Sequence, residues 1–245
     1  MPKEKEYMLQ SRIKCLKGAK MHIEPGVVDG AKMVLSYATA TTVLGATAKV
    51  AYDNMKENGI ISLVLKSIIV AMIVFFCFEV LPHYPIGVSE VHLILGTTAF
   101  LVFGIAPTTI GLALGLLVQG LFFAPFDLPQ YGINVTTLLA SMFILNIAAK
   151  KVIPQGMAYK DISYKQLLKL SIVWEGAIVS WVAFWAIYGQ GFGAENIHNV
   201  LTFGGAYMSV IIIEPLVDVA VLTAVKAYNK TNECAFLFDK KLCKA

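Results

Sequence analysis

The chain has 245 residues, of which 57% are hydrophobic and 15% charged, with a formal net charge of +4 and a mean hydropathy of +0.69. A soluble domain of this length needs far less apolar material for one core, so the composition excludes an ordinary soluble protein and indicates an integral membrane protein. The basic excess calls for no nucleic-acid partner, since lysines beside anionic lipid are ordinary.

A hydrocarbon layer about 30 Å thick is crossed by about 20 helical residues, and inside it every backbone amide must be satisfied within a helix or a closed barrel. Long unbroken apolar runs select helices. Residues 1–20 come first, a basic arm holding Lys3, Lys5, Arg12, Lys14, Lys17 and Lys20 and lacking the apolar core of a signal peptide. The short polar stretch Met21-His22-Ile23-Glu24-Pro25-Gly26 follows. Seven spans are then predicted, over residues 30–51, 60–81, 91–106, 108–126, 134–153, 167–189 and 199–227. Pro82, His83, Tyr84, Pro85 and Gly87 break the chain after the second, Pro107 separates the third from the fourth, and Pro125 with Pro129 marks the exit of the fourth. No internal repeat is visible. The expected architecture is an all-α bundle of about seven transmembrane helices, with a membrane domain over 21–228 and a tail over 229–245.

Basic residues orient the bundle. Lys49, Lys56, Lys150, Lys151, Lys160, Lys165, Lys226, Lys230, Lys240, Lys241 and Lys244 lie in or beside the loops at 52–59 and 150–166 and the tail, whereas loops 82–90, 127–133 and 190–198 carry no lysine or arginine. The positive-inside rule makes the lysine-rich side cytoplasmic, with the bundle starting outside and its C-terminus inside. The basic arm opposes this assignment. It is an exception tolerated by the downstream bias, or it is removed, or translation begins at Met21; the last is the reading favoured here.

With this orientation His22, His83, His92 and His198 all fall on the outer side, which points to a metal-binding mouth. The plainer reading of His83 and His198 is an amphipathic side chain at headgroup level. Glu24 and Glu90 are near enough in sequence to His22 and His92 to accept an imidazole N–H, or else are simple surface carboxylates. Asn134 stands where it either caps the fifth span or organises the site.

The segments MHIEPGVVDG, GVSEVHLILG and GINVTTLLASM resemble the CbiM/NikM family, the membrane-embedded substrate-binding components of cobalt and nickel energy-coupling-factor transporters. The resemblance runs from Met21 to about Ala227 and includes the seven-span plan. In that family the methionine and histidine open the mature chain, whereas here twenty residues precede them. If Met21 is the terminus, its α-amine, the backbone nitrogen of His22 and the His22 imidazole form two fused chelate rings, and one further imidazole completes a nitrogen plane. That plane suits Ni(II) or Cu(II), and Co(II) with a softer fit. An α-amine with a reference pKa near 8 yields its proton readily to a metal. The resemblance implies His92 as the fourth ligand and Asn134 as the hydrogen-bonding holder of the leading loop. The implied metal set is Met21, His22 and His92, with Asn134, Glu24 and Glu90 in support.

Charges within spans normally face protein, because one at a helix centre costs on the order of 2.5–3.5 kcal/mol. Glu175 and Glu214 lie near mid-span, Asp218 one turn after Glu214, and Lys66 near the inner end of its span, where it is expected to snorkel out. The carboxylates act either as a lower relay or partner contact, or as bundle glue. Where the family often has a histidine seven residues before the acid corresponding to Glu214, Tyr207 stands instead. Gly111 and Gly115, and Ala38, Thr42, Gly45, Ala46 and Ala48, permit close helix approach, internally or with a partner helix. Cys77, Cys234 and Cys243 carry no disulfide or zinc pattern.

No GxxxxGK[ST] phosphate loop occurs in the sequence, so active transport requires an ATPase from elsewhere. The resemblance implies a membrane-embedded coupling (T) subunit, cytoplasmic ATPase subunits and a small accessory membrane subunit. The resulting expectation is a non-enzymatic capture subunit for Co(II) or Ni(II), with no permanently bound cofactor, in a bacterial or archaeal cytoplasmic membrane. Two alternatives stay open: an intramembrane metal-dependent enzyme using Glu175, Glu214 or Asp218, and a metal-binding sensor.

Overall fold

The computed structural model describes residues 23, 25–228 and 238–243. In chain order its regular elements are α1 (Met33–Asn58), α2 (Ile60–Glu79), β1 (Tyr84–Ile86), β2 (Ser89–Val91), α3 (Gly96–Phe103), α4 (Ile105–Phe122), α5 (Tyr131–Val152), α6 (Tyr164–Gln190), α7 (Ala194–Tyr207), α8 (Val210–Tyr228) and α9 (Lys240–Cys243). Single-turn or tight helices at Gly30–Lys32, Pro125–Gln130 and Tyr159–Asp161 lead into α1, α5 and α6.

Local chemistry sets most of the boundaries. Gly59 turns α1 into α2 with φ 80°, and Gly191 ends α6 with φ 77°, a backbone region that favours glycine. Ser163 and Gln166 form a reciprocal capping box at the start of α6. The strands form an antiparallel hairpin whose two-residue turn begins with Gly87 at φ 64°.

Among the described residues five stretches are long and apolar enough to cross a membrane: Ile60–Glu79, Ile105–Phe122, Pro125–Val152, Tyr164–Gln190 and Ala194–Ala224. The chain is therefore a multi-pass membrane protein. Of the expected seven spans, the first corresponds to α1, whose 26 residues are long enough but carry Ser36, Thr39, Thr41, Thr42 and Thr47 among their apolar neighbours. The expected third span, 91–106, needs correction. It is not one helix: β2 ends at Val91, the chain crosses an irregular stretch to Leu95, and α3 is only eight residues long before Gly104, at φ 85°, breaks it. Gly104 rather than Pro107 makes the break, and Pro107 lies in the first turn of α4, where the missing N–H costs little. The last expected span is also divided, at Met208 and Ser209, between α7 and α8.

α5 occupies the middle of the bundle, packed by α1, α4 and α6. Ile133, Val135, Leu139, Met142 and Leu145 on it are completely buried. α4 lies against α2, and the closeness has a simple cause: a Cβ on Gly111 would fall 2.5 Å from Val70 Cβ, and one on Gly115 2.8 Å from Val74 Cγ1. These two glycines therefore serve internal packing. Ala38, Thr42, Gly45 and Ala48 on α1 are exposed, and Gly45 has open space around it.

One end of the bundle gathers Ile23 with residues 25–29, the hairpin, the 124–130 connection and the start of α7; Gly87, for example, lies directly against the backbone of Asn199. The other end carries the lysine-rich loops. There Phe238 and Asp239 dock beneath the bundle, with Asp239 N donating to Val102 O at 2.8 Å. Lys66 does not extend freely to water as expected; it is 4% exposed and donates from Nζ to Phe238 O at 2.8 Å.

Candidate metal site

The leading loop is fixed by apolar burial and by two side chains reaching up from below. Ile23, Val27 and Val28 are buried, and Gly26 turns the loop at φ 95°. Ile23 N donates to Asn134 Oδ1 at 3.2 Å, and Gln130 Nε2 donates to Val28 O at 3.0 Å. Both amide side chains stand at the start of α5, whose first turn thus clasps the loop instead of being capped by it. From the other side Gly189 on α6 approaches Val27 O so closely that a Cβ would lie 1.8 Å from it. Lys32 Nζ donates to Gly189 O at 2.7 Å, closing the same junction.

His92 sits between β2 and α3, outside the spanning helices, and is 6% exposed. Its Nδ1 donates to Leu93 O at 3.2 Å, which puts the lone pair of that tautomer on Nε2. The edge of the ring meets Phe78 at 4.7 Å between centroids. Burial pulls its pKa down to about 4; the Leu93 carbonyl opposes this and the nearby His83 adds to it. The imidazole is therefore neutral at physiological pH, the form that binds metals. Beside it, His83 Nε2 lies 3.8 Å from the buried Glu90 Oε1.

Ile23, Glu90, His92, Asn134 and Tyr207 line one small cavity of about 30 Å³, room for about one water or a single ion. Leu138 and Ile178 form its apolar lining farther from the hairpin. Among the described residues no three His, Cys, Asp or Glu side chains are grouped to hold a metal ion, so these side chains alone do not form a closed site.

Two of the intramembrane carboxylates support the segment that carries His92. Glu214 Oε1 accepts from Ile94 N at 2.9 Å and also from Leu95 N. Leu95 has φ 58°, an uncommon conformation for a leucine, and the carboxylate binds the two amides immediately before α3. One turn along α8, Asp218 accepts from Thr98 Oγ1 on α3 and from Ser171 Oγ on α6, the latter at 2.7 Å. Glu175 is completely buried, and among the described residues neither of its oxygens has a hydrogen-bond partner.

The structure thus brings His92, Glu90 and Asn134 together around one cavity. His83 does not line the cavity and reaches Glu90 beside it, whereas His198 is exposed on α7. Met21, His22 and Glu24 lie outside the described residues. Sequence reasoning passed over Gln130 and Tyr207. A glutamine placed immediately before α5 was the available signal for the first. Tyr207 stands where a histidine was sought and still lines the cavity, its hydroxyl buried without a hydrogen-bond partner among the described residues.

A family model, CbiM, described as the cobalt uptake substrate-specific transmembrane region, matches residues 22–231. No curated protein and no solved structure matches the chain.

Proposed function

Because the chain belongs to the CbiM family of cobalt uptake substrate-specific transmembrane regions, we propose that it is the capture subunit of an ATP-driven importer that takes Co(II) or Ni(II) at its outer face. The observation that carries this reading is the clasp on Ile23. The residue that follows His22 is hydrogen-bonded by Asn134 inside a cavity that a neutral, buried His92 lines. In this reading the α-amine of Met21 and the backbone and ring nitrogens of His22 bind the cargo ion together with His92. A set of four nitrogens favours a planar ion such as Ni(II) and accommodates Co(II). Asn134 and Gln130 position the loop, and Glu90 and Glu24 accept hydrogen bonds from the ligating rings.

The proposal includes seven passes, an outer N-terminus and an inner C-terminus, with the lysine-rich loops at the cytoplasmic face. Energy comes from separate partners: a membrane-embedded coupling subunit, cytoplasmic ATPases and a small accessory membrane protein. The outward face of α1, with Ala38, Thr42, Gly45 and Ala48 exposed, offers a helical partner a close approach. Glu214 and Asp218 engage the backbone and side chains around α3, a use that favours a structural part for them over acid–base chemistry.

Cobalt(II) and nickel(II) uptake in cells carrying the chain and its partners tests the proposal. His22→Ala and His92→Ala should each abolish accumulation while the protein still reaches the membrane. Uptake retained by both variants refutes the assignment. N-terminal sequencing of the native protein tests the chelate separately, since it requires Met21 at the terminus.

A further inference from the structure

Tyr207, the last residue of α7, carries a hydroxyl that the clasp on the leading loop leaves unused. The packing of α7 brings it to the cavity beside His92. Gly87 in the hairpin turn, having no side chain, lets the α7 backbone at Asn199 and Phe203 come close. One turn after Phe203 follows Tyr207, the two rings 5.3 Å apart between centroids. On α8, just beyond, Glu214 accepts from Ile94 N at 2.9 Å, and Ile94 lines the same cavity. The corner between α7 and α8 is thus tied to the segment that carries His92.

Tyr207 is 1% exposed, and its hydroxyl has no hydrogen-bond partner among the described residues. Other polar groups on the cavity wall are engaged. Asn134 Oδ1 accepts from Ile23 N at 3.2 Å, Thr137 Oγ1 donates to Ile133 O at 3.0 Å, and His92 Nδ1 is turned to Leu93 O. A hydroxyl buried without a partner costs free energy that a phenylalanine in the same place would not. The unmet hydroxyl points to an occupant of the cavity, whose volume of about 30 Å³ takes one water or one ion. A plane of nitrogens around a captured ion leaves the positions above and below it open, and a neutral phenol oxygen has lone pairs to offer there. A planar nitrogen set suits Ni(II), and selectivity between divalent metals comes from geometry and ligand type rather than raw affinity. An added oxygen off the plane suits Co(II), which readily takes five donors.

We propose that Tyr207 determines specificity: its hydroxyl oxygen binds the captured ion off the nitrogen plane and raises the preference for Co(II) relative to Ni(II). This role rests on the reading of the chain as a metal-capture subunit with His92 among its ligands.

Tyr207→Phe removes the oxygen and keeps the ring. Cobalt(II) and nickel(II) affinities of the purified full-length chain are measured by competition against a chromophoric chelator, and the visible absorption of the cobalt(II) complex is recorded alongside. The ratio of cobalt to nickel affinity should fall at least about fivefold, and the cobalt(II) bands should change as the fifth donor is lost. A ratio that falls by less than this overturns the proposal, whether both affinities hold or both drop together, since a packing role weakens the two metals alike. An unchanged cobalt(II) spectrum overturns it as well. If Tyr207→Phe does not accumulate in the membrane, X-ray absorption of the unaltered chain loaded with cobalt(II) decides: four nitrogens with an additional oxygen support the role, and nitrogens alone refute it. Failure of the unaltered chain to bind either metal, or full binding by His92→Ala, removes the capture reading itself and is seen before Tyr207→Phe is compared.

Discussion

Replacing Asn134 by alanine removes the acceptor for Ile23 N–H, a buried donor that the loop cannot turn toward water. An orphaned buried donor costs about 1–3 kcal/mol. The bond is 3.2 Å long, at the long end of the normal range, which argues for roughly 1–2 kcal/mol. Gln130 still holds Val28 O at 3.0 Å, so the loop loosens near Ile23 without detaching. If the loop delivers ligands to His92, that loss appears as a smaller fraction of binding-competent molecules and an apparent affinity weaker by about 5- to 30-fold. Competition of the purified full-length chain against a chromophoric chelator measures it for cobalt(II) or nickel(II). Asn134→Asp keeps an acceptor oxygen at the same reach and should recover most of the affinity. Adding Gln130→Ala to Asn134→Ala should weaken binding beyond either change alone. An alanine variant that binds within about twofold of the unaltered chain refutes the clasp, as does an aspartate variant as impaired as the alanine one.

Three further outcomes follow from close contacts and shared hydrogen bonds. Gly189→Ala places a methyl on Val27 O, so it should displace the leading loop, costing about 1–3 kcal/mol and weakening metal binding; unchanged affinity in the same competition assay would contradict this. Glu214→Leu leaves the Ile94 and Leu95 amides without their acceptor, at about 1–3 kcal/mol each, whereas Glu214→Gln keeps a carbonyl oxygen there. Thermal unfolding in detergent should therefore show a much larger drop for the leucine variant than for the glutamine one, and equal drops would show that the carboxylate's charge rather than its acceptor matters. Gly111→Ala drives a Cβ into Val70 and should lower stability by about 1–3 kcal/mol without altering metal selectivity, which thermal unfolding and parallel nickel and cobalt titrations check.

The long apolar runs were readable because a bilayer-length helix satisfies its own backbone, so hydropathy alone locates residues 60–79, 105–122 and 164–190 to within a few positions. The segment 91–106 was misread for a reason hydropathy cannot express. Leu95 adopts its uncommon backbone conformation and α3 starts at Gly96 because Glu214, an acceptor more than a hundred residues later in the chain, binds the Ile94 and Leu95 amides just before it. The break after α7 is similar, since Met208 and Ser209 carry no proline or glycine to announce it. Within the candidate site, His92 and Asn134 were identifiable from their motifs. Gln130 was not, because its importance lies in a bond to Val28 across more than a hundred residues. The exposure of small residues on α1 and the burial of those on α4 were equally unreadable, as GxxxG spacing specifies close approach but not to which neighbour.

α3 is fastened at both of its ends. At eight residues it is about 12 Å long, pinned at one extremity by carboxylates of α8 and at the other by the Asp239 amide on Val102. One short helix thus joins the residues that follow His92 to the docked segment 238–243, so the rim of the cavity and the lysine-rich end share a single eight-residue link.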